Sequence, residues 1–278
     1  MSTTTPLTST LPNPRSQFLI RPLHFSDISA LAALAQAAFE PLPLTSYLHP
    51  HIHDSPASEA RNLRWLRHSF RRRVLDPKYE SFAAVVASSQ HGKGEEEVVG
   101  LTQFYRTGDA DRKNGGVRRQ VEARERPWSV IGLYLKARRL MWEVWMRVNE
   151  WIWPNLGMDQ ETEKTFVKAV VADEKEFWEA NERYKERWHV QSVVVGVEWQ
   201  RQGVGKLLMQ EVLERAKKEG VCVGVEASKE GEGLYRKCGF GLLGRFELIV
   251  PGAEPDDGGV MVWEPWSQEE EEEQQRDA

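Results

Sequence analysis

The stretch Gln200-Arg201-Gln202-Gly203-Val204-Gly205-Lys206 has the residue types of an anion cradle. It follows the β-branched run Val190–Val195 and leads into an amphipathic run, Gly203–Glu219, so a strand hands over to a helix there. Glycine lets the backbone approach an anion closely, and the first N–H groups of a helix lack intrahelical acceptors. With the helix dipole, those groups attract phosphate oxygens. Spacing excludes two other phosphate loops. No Gly-x-x-x-x-Gly-Lys-Ser/Thr string is present, and a dinucleotide fingerprint would need glycine where Leu208 stands. A turn that merely packs a helix on a strand stays open at this point.

Other reactive types are scattered. His49, His51 and His53 alternate, which places them on one side of an extended segment where imidazoles could bind zinc. Only Asp54 accompanies them, so no metal is expected. Cys222 and Cys238 sit in apolar stretches and read as reduced core thiols of a cytosolic chain. Arg61, Arg64, Arg67 and Arg71 could meet an acidic group, but a solvated helix face explains them as well.

The elements that must position these residues follow from periodicity. Phe18–Leu23 reads as a strand, and Ser26 as the cap of a helix with Ile28, Leu31, Leu34, Ala35 and Ala38 inward. Ser55-Pro56 opens a second helix with the stripe Leu63, Leu66, Phe70 and Val74. Ser81–Ser88 and Val98–Tyr105 read as a hairpin, with Gly100 marking a bulge. Residues 106–187 are charged, helix-prone and tryptophan-rich, and read as an insertion with 109–126 mobile. After Val190–Val195 come the helix stopped by Gly220, a strand at Val221–Ala227, a helix at Gly231–Lys237, and strands at Phe240–Val250 and Val260–Trp263. The order is β-α-α-β-β-insert-β-α-β-α-β-β.

Composition bounds the partners. The net charge is −5, and five Glu with Asp277 against Arg276 place all of it after residue 268. A neutral body with an acidic, solubilising tail is unlike a nucleic-acid binder, which needs a concentrated basic surface. The Ser/Thr/Pro-rich residues 1–16 contain no apolar run and read as a disordered leader. Residues 128–153 hold five of the eleven tryptophans, but six charged residues interrupt them, so they do not span a bilayer. They could cap the sheet, close over a pocket, or touch a membrane interface.

Further residues join the loop into a known pattern. Glu226-Ala227-Ser228 and Leu234-Tyr235-Arg236-Lys237-Cys238-Gly239-Phe240 follow it, and Ile20-Arg21-Pro22-Leu23 with Asp27-Ile28 open the chain. Together these resemble the GNAT superfamily of N-acetyltransferases, whose acetyl-CoA loop is Gln/Arg-x-x-Gly-x-Gly/Ala. The resemblance covers residues 18–105 and 188–264. The member expected is a fungal-type small-molecule or protein acetyltransferase with a long insertion.

The resemblance implies an α/β fold: a central mixed, mostly antiparallel sheet of about seven strands, splayed in the middle and flanked by helices. One domain would span 17–267, with the insertion 106–187 and the tail 268–278. Acetyl-CoA would be the co-substrate, its pyrophosphate on Gln200, Arg201, Gln202, Gly203, Val204, Gly205 and Lys206, its pantetheine along Val193 and Val195 like an added strand. Ser228 stands where relatives bond the pantetheine with Asn, and Val197 where many have Pro. Tyr235 would protonate the leaving thiolate and His189 would take the amine proton, with Asp173, Glu176 or a water chain as other bases. Gln191 cannot act as a base. The loop 41–55 would line the acceptor side.

The expected reaction is direct acetyl transfer to a primary amine in a ternary complex, with neither cysteine acting as nucleophile. A degenerate CoA-binding interaction module and a protein or histone N-acetyltransferase are the alternatives. A monomer or homodimer in the cytoplasm, with the nucleus also open, is expected.

Overall fold

The computed structural model describes residues 17–76, 78–87, 96–108, 137, 140, 141, 143–145, 147, 148 and 159–266. The leader 1–16, the segment 109–126, the acidic tail 268–278 and most of the tryptophan-rich stretch lie outside these residues. No helix among the described residues is long and apolar enough to cross a membrane.

The elements are β1 (Phe18–Pro22), α1 (Ile28–Phe39), α2 (Pro43–Leu48), α3 (Pro56–Leu75), β2 (Tyr79–Ala87) and β3 (Glu96–Thr107). Then come α4 (Gln160–Asp173), a π-helical turn (Glu174–Glu179), α5 (Glu182–Lys185), β4 (Arg187–Val195) and α6 (Val204–Glu219). β5 (Cys222–Ala227), α7 (Lys229–Lys237), β6 (Gly241–Gly244) and β7 (Gly259–Trp263) complete the chain. The strands form one seven-stranded sheet in the order β1-β2-β3-β4-β5-β7-β6. Every pairing is antiparallel except β4 with β5. This is the expected α/β architecture, with a mixed, mostly antiparallel open sheet flanked by helices.

Period-two burial assigns the faces of the C-terminal half. Val223, Val225 and Ala227 of β5 and Met261 and Trp263 of β7 pack with Met209, Val212 and Ala216 of α6 and Tyr235 of α7. Cys222 of β5 and Val260 and Val262 of β7 point to the other face, where Trp178 covers them. Ile28, Leu31 and Ala35 of α1 and Leu66 and Phe70 of α3 pack on Ala83, Val85, Leu101 and Val194. Burying each such aliphatic or aromatic side chain contributes about 1.5–3 kcal/mol.

Several boundaries differ from the sequence reading, each for a local reason. Ser26 does not cap α1. Phe25–Asp27 form a 3-10 turn, and the Asp27 carboxylate holds Arg21 at 2.7 Å and the His24 N–H at 2.8 Å. The bulge expected at Gly100 lies beside it, where the register skips Val99 between Gly100↔Ala84 and Val98↔Val85. β4 starts at Arg187, three residues before the β-branched run. β6 stops at Gly244 instead of running to Val250. Residues 245–258 form a loop, and Gly244 at the strand end lies so close to Phe177 that a Cβ there would be 2.4 Å from its ring.

Residues 174–185 lie inside the stretch read as an insertion, yet they pack on the sheet. Trp178 is fully buried and fills the space left by Gly224, where a Cβ would lie 2.5 Å from its ring. Of the tryptophan-rich stretch, Trp145 lies against His68 of α3, ring centroids 5.3 Å apart.

Candidate functional site

β4 and β5 are paired only from Arg187↔Cys222 to Val190↔Val225. Beyond that rung β4 pairs with β3 alone and β5 with β7 alone, so a cleft opens between Gln191–Val195 and Glu226–Ala227. A β-bulge sits at the divergence: Gln103 faces Ser192 and Phe104 faces Val190, leaving Gln191 unmatched. Val193 and Val195 lie on the strand segment that borders the cleft.

The turn at 200–205 stands at the end of this cleft. Arg201 (φ 63) and Gly203 (φ 91) both adopt left-handed backbone, which turns successive N–H groups toward one side. Among the described residues, no N–H from Arg201 to Lys206 has a backbone acceptor. α6 has no acidic residue in its first turn, and Lys206 is exposed there. A Cβ at Gly203 would meet nothing within 4 Å, so the turn is open to a ligand. These observations fit a pyrophosphate. Gln200 and Gln202 brace the turn instead of reaching outward: their amides donate to Val195 O at 3.3 Å and Glu198 O at 2.8 Å. The donors are therefore main-chain groups.

His189, one residue before the last rung between β4 and β5, is buried. Its Nδ1 accepts from Arg187 Nε at 3.4 Å, so the proton sits on Nε2, which donates to Glu226 Oε2 at 2.8 Å. Trp178 Nε1 donates to Glu226 Oε1 at 3.0 Å, and Arg187 pairs with Glu174 at 2.7 Å. Burial pushes the Glu226 carboxyl up, but His189, the Trp178 indole N–H and Arg187 outweigh it and hold it below the ordinary carboxylate range. Both nitrogens of His189 are thus engaged by protein, and Glu226 is the member of the pair that reaches open space.

Tyr235 lies on the opposite side of β5, packed edge-on to Phe240 with centroids 5.5 Å apart. Its phenol is pushed well above its ordinary range by burial, then by Cys238 and Glu226. It stays protonated across the physiological range. Ser228 caps α7, its Oγ accepting from Gly231 N at 3.2 Å.

Glu226 also lines a cavity of about 240 Å³ on the Trp178 face of the sheet. Leu42–Leu44, α4 and the loop after β6 form its walls, and Asp173 and Ser228 lie in it. Of the other base candidates, Asp173 is buried and Glu176 is exposed. The three loop histidines diverge. His49 packs on Trp65, His51 bonds Asp54 at 2.8 Å, and His53 lies 3.5 Å from Glu59. Among the described residues no group of His, Cys, Asp or Glu is arranged for a metal. Cys222 and Cys238 are free and buried, and burial pushes Cys222 up to about 11.

Sequence reasoning gave no role to Glu226, Arg187 or Trp178. Glu226 carried a signal, as the lone charge inside the apolar run Val221–Ala227. Arg187 and Trp178 carried none, because they fell inside the presumed insertion.

Residues 157–245 match the family model described as an acetyltransferase (GNAT) domain. No curated protein matches the chain by sequence. Solved structures similar to it include a histone acetyltransferase HPA2 and related acetyltransferase from Corynebacterium glutamicum (15% identity, TM-score 0.46, 90% of this chain and 96% of that one). A GCN5-related N-acetyltransferase from Kribbella flavida is 14% identical, with TM-score 0.43 over 90% of this chain and 99% of that one. The PaiA N-acetyltransferase from Thermoplasma acidophilum, in complex with coenzyme A, is 10% identical, with TM-score 0.42 over 89% and 98%.

Proposed function

We propose, from the match of residues 157–245 to an acetyltransferase (GNAT) domain, that the chain transfers the acetyl group of acetyl-CoA to a primary amine by direct attack in a ternary complex. One observation carries this reading. The cleft between β4 and β5 has an anion-binding turn at its end and a carboxylate, Glu226, at its fork.

Acetyl-CoA would supply an activated acyl carbon and a thiolate leaving group. The N–H groups of Arg201–Lys206 would hold its pyrophosphate at the start of α6. The edge of β4 at Val193 and Val195 would hold the pantetheine as an added strand. Glu226 takes one proton from the bound ammonium, which frees the nitrogen lone pair for attack. The second N–H proton, shed as the C–N bond forms and the C–S bond breaks, balances the one given to the departing sulfur. His189 acts behind Glu226 as a positioning residue, fixed by Arg187. Tyr235, across β5, donates its phenolic proton to the departing sulfur. Buried Cys222 and Cys238 take no part.

The test is thiol release from acetyl-CoA with a panel of primary amines. Amine-dependent release that Gly203→Asp abolishes, in step with cofactor binding, is the expected result. Tight cofactor binding with no release for any amine would overturn the reading in favour of a binding module.

A further inference from the structure

The 240 Å³ cavity touching Glu226 has a definite chemical character. Phe166 and Val170 of α4, Phe246 and Leu248 of the loop after β6, and Leu42 and Leu44 before and within α2 make its apolar walls. Asp173 and Glu226 place carboxylates in it. We propose that this is the acceptor pocket and that it takes a primary amine on an apolar body of one aromatic ring and a short linker, with Asp173 and Glu226 receiving the ammonium end. The assignment rests on the acyl-transfer reading above and adds to it the class of acceptor.

Three observations carry it. Asp173 is only 6% exposed, and its one hydrogen bond among the described residues is a long one, 3.4 Å from Glu247 N–H. Burial, then Glu247, Glu176 and Glu226, push it above the ordinary carboxylate range despite that bond. A carboxylate so placed is costly until a cation or donor arrives.

The cation in the cavity wall is already engaged. Lys229 pairs with Asp257 at 2.7 Å and its side chain is 60% exposed. Glu230 and Glu254 add further acid to the lining. Cationic guests are favoured and anionic ones repelled.

Size and polarity narrow the guest's body. An apolar cavity of about 150 Å³ admits benzene, so this one admits a ring with a two-carbon linker. Hydroxyl-rich bodies would leave polar groups unpaired against Phe166, Phe246 and Leu248. Glu226 belongs both to the cavity and to the fork of the cleft, so an amine held by it lies where the two meet.

Calorimetric titration of the full chain, preloaded with CoA, tests the assignment. The probes are 2-phenylethylamine, its neutral analogue 2-phenylethanol, ethanolamine, and a lysine-containing peptide. We expect 2-phenylethylamine to bind at least about tenfold tighter than each of the others. Asp173→Asn should weaken the amine roughly ten- to hundredfold, as expected for loss of a charged hydrogen bond, with CoA affinity unchanged. Ile249→Arg, which sets a cation on an exposed part of the wall, should weaken it as well. Equal binding of the alcohol, of ethanolamine or of the peptide, or no binding of 2-phenylethylamine, overturns the proposal. The readout is binding, so absent turnover would sink the acyl-transfer reading alone. Turnover of amines without a ring preference would sink only the pocket assignment.

Discussion

Nε2 of His189 and Oε2 of Glu226 lie 2.8 Å apart, joining β4 to β5 diagonally across Val190↔Val225, the last rung before the two strands separate. The hydrogen bond takes over where main-chain pairing ends. It turns the Glu226 carboxylate toward the fork of the cleft and leaves His189 no free lone pair. On the proposed reading the carboxylate is the base, and the imidazole is its anchor.

Glu226→Gln should cut kcat by about a hundredfold or more, the usual worth of a positioned base, with CoA affinity unchanged. His189→Asn should cut kcat less and move the acidic limb of the pH–rate profile upward, because His189 helps hold Glu226 low. An unmoved limb would remove His189 from the site. Stability has the same sign. Glu226 is lower in the folded state than its unfolded value of about 4.3, so its contribution is complete above that value and is lost as pH falls through the folded one.

Asp173 has the opposite sign. Its folded carboxyl is raised, so ionised Asp173 costs stability at neutral pH, and that cost fades as acid protonates it. Asp173→Asn should raise Tm by roughly 2–4 °C at pH 7.5 and by nothing near pH 3. A drop in Tm at pH 7.5 would mean that the carboxylate is structural.

Tyr235→Phe tests the donor. The phenol makes no hydrogen bond among the described residues, so the variant should melt close to the parent while kcat falls about tenfold or more. Because the phenol is raised, the parent should show no alkaline limb from Tyr235 below pH 10. Such a limb, abolished by the substitution, would contradict the buried placement.

Gly203→Ala and Gly224→Ala separate two uses of glycine. At Gly203 a Cβ has room, but φ is 91, so alanine costs about 1–2 kcal/mol of backbone strain and weakens CoA. At Gly224 a Cβ would meet Trp178 at 2.5 Å. Alanine there should cost about 1–3 kcal/mol and lower kcat without touching CoA affinity, because Trp178 also holds Glu226. Melting curves and CoA titrations distinguish the two.

The strand–turn–helix unit proposed to hold the donor was legible in the sequence because it is local. Gln200 to Gly205, the stripe of α6 and the Gly220 stop all lie within one strand–turn–helix unit, where spacing dictates geometry. His189 was legible as a position, but its role was not, since its partner lies 37 residues away and becomes a neighbour only through the parallel β4–β5 pairing. Residues 245–250 read as strand from their apolar run. In the structure they form a loop that lines the cavity instead, a tertiary placement that periodicity does not register. Arg187 and Trp178 were hidden by their charged, helix-prone setting.

Thr107, where β3 ends, pairs directly with Arg187, where β4 begins, and Arg106 bonds Glu186 at 3.0 Å beside them. The ends of β3 and β4 are therefore held together by a single clasp. Lengthening a chain excursion closed in this way costs only about 0.6 kcal/mol per doubling. Chain added or removed there leaves the turn at 200–205 unmoved, so this clasp is where the excursion can be resized, provided that Glu174 and Trp178, which hold Arg187 and Glu226, are kept.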